Sequence, residues 1–147
     1  GVACLLGIAK YIVDNDIVPK YTTNFFISNY EEVGHGASAS IPEKTFEFIV
    51  VDMAAVGEGQ ASDEYSVTIC AKDSTGPYDL ELKNKLIELA EENKIKYKID
   101  IYPNYGSDGS AALTAGYDMK VGLIGPGVDA SHSFERTHKE ALENPQS

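Results

Sequence analysis

The sequence predicts an α/β fold: a three-layer αβα arrangement with a mixed, mostly parallel sheet and helices on both faces. Segments typical of strands alternate with segments typical of helices over most of the 147 residues. A length of this order suits one domain with its own core, and no linker or repeat divides the chain. We therefore treat residues 1–147 as one folding unit.

The first part of the chain predicts one helix and two strands. Residues 1–16 carry apolar side chains at helical spacing and end in the turn sequence DNDIVP. Residues 22–29, TTNFFISN, are aromatic and β-branched, which predicts a strand. The segment 34–44 is rich in Gly and small residues and predicts a loop. The apolar run 45–53 predicts a buried strand that ends at Asp52.

The middle of the chain predicts a strand, a helix and a second strand. Residues 64–74 and 97–103 have the β-branched and aromatic composition of strands. Between them, leucines recur on one face of residues 80–94, which predicts a helix. Asp79 precedes that helix and suits its N-cap position.

The last part predicts a short helix, the final strand and a final helix. Residues 106–116 combine a Gly-rich loop with a short helix, and residues 119–125 form an apolar strand. Residues 126–133 predict a loop, and the overlapping sequence GPGV (125–128) predicts a tight turn at its start. Residues 134–143 predict the final helix.

The charge balance limits the partners of this chain. Twelve Lys and Arg against 23 Asp and Glu give a net charge of −11, which argues against nucleic acid and anionic membranes. The sequence has no apolar run of about 18 residues, so no membrane span is expected. Cys4 and Cys70 lie in apolar runs and are expected to be buried free thiols, as in a cytoplasmic protein.

Polar side chains follow several predicted strands at the points where they end. They are Glu31, Glu32, Asp52, Asp108 and His132. In open α/β sheets ligands bind beyond the carboxyl ends of strands, so we expect these residues at one rim. Carboxylate and imidazole are ligands for zinc, cobalt or manganese. One glutamate of the adjacent pair would bind the metal, and its neighbour would act as a base.

Each of these residues also has an ordinary structural interpretation. An adjacent pair of glutamates is usually solvated surface, Asp52 suits a turn or cap, and His132 suits a loop. His35 and His138 are expected to be exposed or structural. Gly127 belongs first to the predicted tight turn and second to a wall of the substrate site.

Four motifs resemble a known family. YEEVGHGA, VVDMA, YGSDGSAAL and GPGVDASHSFERTH resemble the dinuclear metallo-aminopeptidases, which include glutamyl, deblocking and tetrahedral aminopeptidases. The opening GVACLLGIAKYI resembles the helix that follows a metal-bridging aspartate in that family. The resemblance covers essentially the whole chain.

The resemblance implies roles for individual residues. Glu31 matches the general base, Glu32 and His132 match ligands of one metal, and Asp52 matches a ligand of the other. Asp108 and Gly127 are not matched to metal ligands; they lie in segments that we expect to contact the substrate or to surround the metal ligands. The intact enzyme would hold two divalent ions, zinc or cobalt, cleave a peptide substrate and assemble as a homo-oligomer.

The family also uses a second histidine and a bridging aspartate upstream of the helix that opens this sequence. We therefore expect residues 1–147 to be the C-terminal portion of a catalytic domain, with one metal ion or none. Apolar surface that an upstream half would cover is expected to be exposed.

Two other functions remain open. The first is a non-catalytic α/β domain that binds a small ligand or a partner through an incomplete metal site. The second is a glycoside hydrolase with paired carboxylates, which fits poorly. Adjacent residues on an extended segment point in opposite directions, so Glu31 and Glu32 would not flank one sugar.

Overall fold

A mixed sheet forms the centre of the computed structural model, which describes residues 1–143. Its strands are β1 (Glu47–Val51), β2 (Ala54–Ala55), β3 (Val67–Asp73), β4 (Tyr97–Tyr102) and β5 (Lys120–Val128). The order is β1-β5-β3-β4, and β2 pairs with the far end of β5. β5 runs parallel to β1 and β2, and β3 runs parallel to β4; among the strands of residues 1–143, only β3 and β5 pair in antiparallel fashion. The predicted mixed, mostly parallel sheet is therefore confirmed.

Helices cover both faces of this sheet. They are α1 (Val2–Asp14), α2 (Leu80–Glu92), α3 (Asp108–Thr114) and α4 (Lys139–Glu143). Gly122 of β5 lies against Leu82 and Leu86 of α2, whereas its neighbour Val121 lies against Gly109 of α3. Successive strand residues point to opposite faces, so α2 and α3 lie on opposite sides of the sheet.

Local sequence signals account for several of these elements. The Asp79 side chain accepts a hydrogen bond from the Leu82 N–H at 2.8 Å and caps α2, as predicted. Cys4 and Cys70 are free thiols with 1% and 2% of their surface exposed. The main buried cluster consists of Val50, Ala54, Cys70, Tyr78, Tyr102, Val121 and Leu123.

The strand predicted for residues 22–29 is wrong. The segment is irregular and joins no strand ladder among the described residues, where β1 is an edge of the sheet. Its aromatic character serves packing instead, because Phe26 meets the Phe48 ring edge-on at 6.4 Å. An apolar, β-branched run becomes a strand only when a neighbouring strand pairs with it.

Two boundaries near the end of the chain also differ from prediction. β5 continues to Val128, so GPGV belongs to a strand and forms no tight turn. The final helix begins only at Lys139, because Asp129 and Arg136 form an antiparallel bridge and an ion pair in the preceding segment. Both differences come from pairing between residues that are distant along the chain.

Exposed apolar side chains surround the edge strand β1, as expected. Phe25, Ile27, Phe46 and Ile49 are 42%, 58%, 68% and 41% exposed. Across residues 1–143 no helix has both the length and the apolar character to cross a membrane.

Candidate active site

The glutamate pair lies on a tight turn. Glu31–Val33 and Gly36–Ser38 each form a single turn of 3-10 helix. Gly34 joins them with a φ of +80°, and its N–H donates to the Glu31 carbonyl at 2.8 Å. This left-handed conformation favours glycine, which explains why a glycine closely follows the pair.

Five of the predicted site residues line one open cleft. The cleft has a volume of about 1190 Å³, and its lining includes Glu31, Glu32, Asp52, Asp108 and His132. Asp52 directly follows β1, and His132 follows the parallel strand β5, so both reach the cleft from the same rim of the sheet.

Asp108 reaches the cleft by a different route from the one predicted. It follows β4, and β4 ends at the opposite rim because β3 is antiparallel to β5. The expectation that all these strand ends share one rim is therefore wrong. Asp108 is the first residue of α3, which packs on the face of the sheet and carries this carboxylate to the cleft.

The carboxylates in the cleft perturb one another. Burial raises the pKa of Glu31 to about 7, with further upward contributions from Asp52, Asp108 and Glu32, while His132 lowers it. Burial also raises the pKa of Asp52, although the Met53 N–H, 2.7 Å from the Asp52 Oδ1, acts in the opposite direction. A cation in the cleft would reduce this repulsion.

His132 already contacts one of the glutamates. Its Nε2 lies 3.5 Å from the Glu32 Oε2, and both side chains are largely exposed. The His132 backbone has a φ of +61°, and its N–H donates to the Glu135 Oε1 at 3.2 Å. The Tyr105 ring meets the imidazole edge-on at 6.3 Å.

The donor types fit a divalent cation. Glu32, Asp52 and His132 offer carboxylate oxygen and imidazole nitrogen, which bind zinc, cobalt and manganese. Within the described chain, however, no three His, Cys, Asp or Glu side chains are grouped closely enough to hold a metal ion. The Glu32–His132 contact brings together two side chains of types that bind metals, in a cleft whose crowded carboxylates favour a positive charge.

The other candidate residues lie elsewhere. Gly127 is paired with Ala54 of β2, and a Cβ added there would collide with the Asp63 carbonyl, so close backbone packing explains this glycine. His35 stacks on Tyr30 at 5.2 Å, and His138 packs against a tyrosine ring at 4.8 Å. The structural interpretation of both histidines is consistent with these contacts.

Sequence reasoning missed a buried polar network, of which Asp73, Ser107 and Ser110 belong to the lining of the cleft. The Tyr78 hydroxyl donates to the Asp73 Oδ2 at 2.7 Å and forms a hydrogen bond with the Ser107 Oγ at 2.7 Å. Ser110 also donates to the Asp73 carboxylate. Asp73 ends a predicted strand, the same signal that pointed to Asp52, and Ser107 precedes a helix as N-caps do.

Comparisons with known proteins identify relatives of the whole chain. The profile of the M42 glutamyl aminopeptidase family matches residues 1–147. A protein of Bacillus subtilis (strain 168) with the provisional name aminopeptidase YhfE is 57% identical over 141 residues, which are 96% of this chain and 41% of that protein.

Two solved structures share the fold. A TET aminopeptidase from the marine sediment archaeon Thaumarchaeota archaeon SCGC AB-539-E09 superposes with a TM-score of 0.82 at 15% identity, over 97% of this chain and 42% of the other. PhTET1-12s, a dodecamer, superposes with a TM-score of 0.80 at 23% identity, over 99% of this chain and 45% of the other.

This chain thus spans less than half the length of each of these relatives. The match to the family profile nevertheless covers every residue, in agreement with the resemblance of the motifs around Glu31, Asp52, Asp108 and His132. The chain belongs to the M42 glutamyl aminopeptidase family.

Proposed function

We propose that this chain supplies part of the active site of a metal-dependent aminopeptidase, which releases the N-terminal residue of peptides. One observation carries the proposal: Glu31, Glu32, Asp52 and His132 line a single cleft in a member of the M42 family. We further propose that residues 1–147 are the C-terminal portion of the catalytic domain. The chain's coverage of 41% of YhfE supports a larger parent protein.

Three side chains are proposed as metal ligands. Glu32 and His132, whose polar atoms are 3.5 Å apart, would share one divalent ion, and Asp52 would bind a second. Such ions, zinc or cobalt, would acidify a bound water and polarise the scissile carbonyl. The acidic lining supports cation binding, because no Lys or Arg lines the cleft within the described part of the chain.

Glu31 is proposed as the general base. Its carboxylate lines the cleft next in sequence to the proposed ligand Glu32 and is only partly exposed. It would accept a proton from the attacking water and return it to the leaving amine. General-base catalysis of this kind contributes about 10²–10⁴ in rate.

The same acidic lining favours substrates with a free amino terminus. A peptide α-ammonium group is a cation, and carboxylates in a partly buried cleft attract it. An N-acetylated peptide lacks this charge and should be cleaved poorly. This selection would restrict cleavage to the first peptide bond.

Metal content of the purified chain tests the ligand assignment. After dialysis against micromolar zinc, Glu32→Ala and His132→Ala should each weaken metal affinity by about 10-fold or more, because each substitution removes a side chain that binds the metal directly. Glu31→Gln should keep the metal. Unchanged metal content in Glu32→Ala and His132→Ala would refute the assignment.

Activity of the parent protein tests the role of Glu31. With zinc or cobalt and a peptide anilide, Glu31→Gln should lower kcat by about 10²–10⁴. Glu58→Gln is a matched control, because Glu58 is exposed on a turn and is not among the residues that line the cleft. Equal activity of the two variants would exclude Glu31 as the base.

One observation favours a second candidate, a non-catalytic domain that binds a small ligand or a partner. The described residues do not gather three metal donors at one point. If the parent protein binds no metal and cleaves no peptide, this second function would replace the first.

We also propose that the parent protein assembles as a homo-oligomer. The related PhTET1-12s structure is a dodecamer, which supports this proposal. Sedimentation of the parent protein as a monomer at micromolar concentration would contradict it.

A further inference from the structure

Asp73 is a buried carboxylate at the end of β3, and the proposed reaction assigns it no role. It is 1% exposed. Its Oδ1 accepts hydrogen bonds from the N–H groups of Thr75 and Gly76 at 2.8 and 3.2 Å. Its Oδ2 accepts from the hydroxyls of Tyr78 and Ser110. Burial alone would raise the pKa of Asp73, but these hydrogen bonds lower it, so the group is ionised at neutral pH.

These hydrogen bonds connect Asp73 to the start of α3. The Tyr78 hydroxyl, 2.7 Å from the Asp73 Oδ2, is also 2.7 Å from the Ser107 Oγ. Ser107 caps α3 by accepting a hydrogen bond from the Gly109 N–H at 3.1 Å. Ser110 lies within the same helix and bonds Asp73 directly. The ionised Asp73 therefore holds the first turn of α3 at two points.

The first turn of α3 in turn holds the segment that follows the glutamate pair. The Asp108 Oδ1 accepts a hydrogen bond from the Ala37 N–H at 2.9 Å, and Ala37 is fully buried. A Cβ added at Gly36 would lie 2.5 Å from this Oδ1 and 2.8 Å from the backbone N of Glu31. The Asp108 carboxylate thus lies against Gly36 and Ala37, in the turn that directly follows the glutamate pair, and Gly36 in turn lies close to the backbone N of Glu31.

We propose that Asp73 is a positioning residue for the Glu31–Glu32 turn. It acts through Tyr78 and Ser107 on α3, and through Asp108 on Ala37. The consequence of this positioning for catalysis rests on the proposed function, whereas the effect of Asp73 on the turn does not. A network of buried hydrogen bonds can fix the position of a reacting group. Even a small displacement of such a group lowers the reaction rate strongly.

Amide hydrogen exchange of Ala37, followed by NMR in the 147-residue chain, tests the effect on the turn. The variants are Asp73→Asn and Tyr78→Phe; the second keeps the ring in the core and removes only the hydroxyl. The neighbouring strand β4 offers matched controls, Asp100→Asn and Tyr102→Phe. The Asp100 carboxylate bonds the Ser62 Oγ at 2.7 Å, and the Tyr102 hydroxyl bonds the same Oγ at 2.5 Å.

Both pairs of variants remove a buried carboxylate or a tyrosine hydroxyl from a similar network. We expect exchange of the Ala37 amide to be about 10-fold faster in Asp73→Asn and Tyr78→Phe than in the controls, at matched global stability. Asp108→Ala should give an effect at least as large, and adding Asp73→Asn to it should change little. Equal Ala37 exchange in the test and control variants would overturn the proposal.

A kinetic measurement on the parent protein separates positioning from general stability. Tyr78→Phe should lower kcat with KM little changed, at a temperature where the variant is fully folded. An unchanged kcat in an active parent enzyme would overturn the catalytic part of the proposal. If the parent protein proves inactive, the proposed function fails, and Ala37 exchange still decides whether Asp73 holds the turn.

Discussion

Gly36→Ala should displace the turn that carries the glutamate pair. The added methyl group would lie 2.5 Å from the Asp108 Oδ1 and 2.8 Å from both the Glu31 backbone N and the Ser28 Oγ. Atoms at these distances overlap, and Asp108 has little room to move because its Oδ1 already bonds the Ala37 N–H at 2.9 Å. The backbone at Glu31 must therefore shift.

The expected destabilisation is about 1–3 kcal/mol, the usual effect of overpacking a tightly packed site. Gly57→Ala is the control, because nothing lies within 4 Å of a Cβ placed there. Replacing a glycine in an unstrained position stabilises a protein by about 0.4–1 kcal/mol.

Urea unfolding of the 147-residue chain measures the difference. With a slope of about 2 kcal/mol/M, the midpoint of Gly36→Ala should lie about 0.7–2 M below that of Gly57→Ala. Metal affinity should fall as well, because Glu32 moves with the turn. Equal midpoints for the two variants would refute the packing argument.

Three further predictions concern the rest of the fold. Asp100→Asn should lose about 1.5–3 kcal/mol of stability at pH 7, because the Asp100 carboxylate accepts hydrogen bonds from Ala61 and Ser62. Burial opposes ionisation of Asp100, but those bonds lower its pKa below the unfolded value of about 3.9. Its contribution is therefore present above that value and lost as the pH falls through the lower folded-state pKa, so the urea midpoints of the two proteins should approach each other as the pH is lowered below that value. Asp79→Ala should cost about 1 kcal/mol through loss of the α2 cap, and circular dichroism during thermal unfolding checks this value. Cys4 and Cys70, both almost fully buried, should react with a thiol reagent only as fast as the chain opens, and rapid labelling in native buffer would contradict their burial.

Local chemistry explains which elements were predictable. The cap of α2 depends on Asp79 and the N–H three residues later, so four residues contain the whole signal. The strand expected at 22–29 depends on a neighbouring strand that no local pattern specifies, and there the prediction failed. The length of β5 failed for a related reason, because Gly127 belongs to a strand only through its pairing with Ala54.

The residues of the candidate site also fall into two groups, those that the local sequence predicts and those that only the fold reveals. Five residues were predicted from polar side chains after apolar runs and from the family resemblance, and all five line the cleft: Glu31, Glu32, Asp52, Asp108 and His132. Their catalytic roles remain predictions. Asp73 was missed because its partner Ser110, and Ser107, which is linked to it through Tyr78, lie 37 and 34 positions further along the chain, where only the fold brings them together.

The order of the strands constrains how this chain folds during synthesis. β5 lies between β1 and β3, yet it is the last of the described strands in sequence and leaves the ribosome after both of its neighbours. β1 therefore has no neighbour to pair with among the described strands until residues 120–128 have emerged, although β3 and β4 can pair earlier. Sheets assembled from such distant segments fold slowly. A strand that is still unpaired during this time is prone to aggregate. A ribosome paused just after β4 should therefore carry a chain whose β1 is still open to proteases, whereas a pause after β5 has emerged should leave β1 protected.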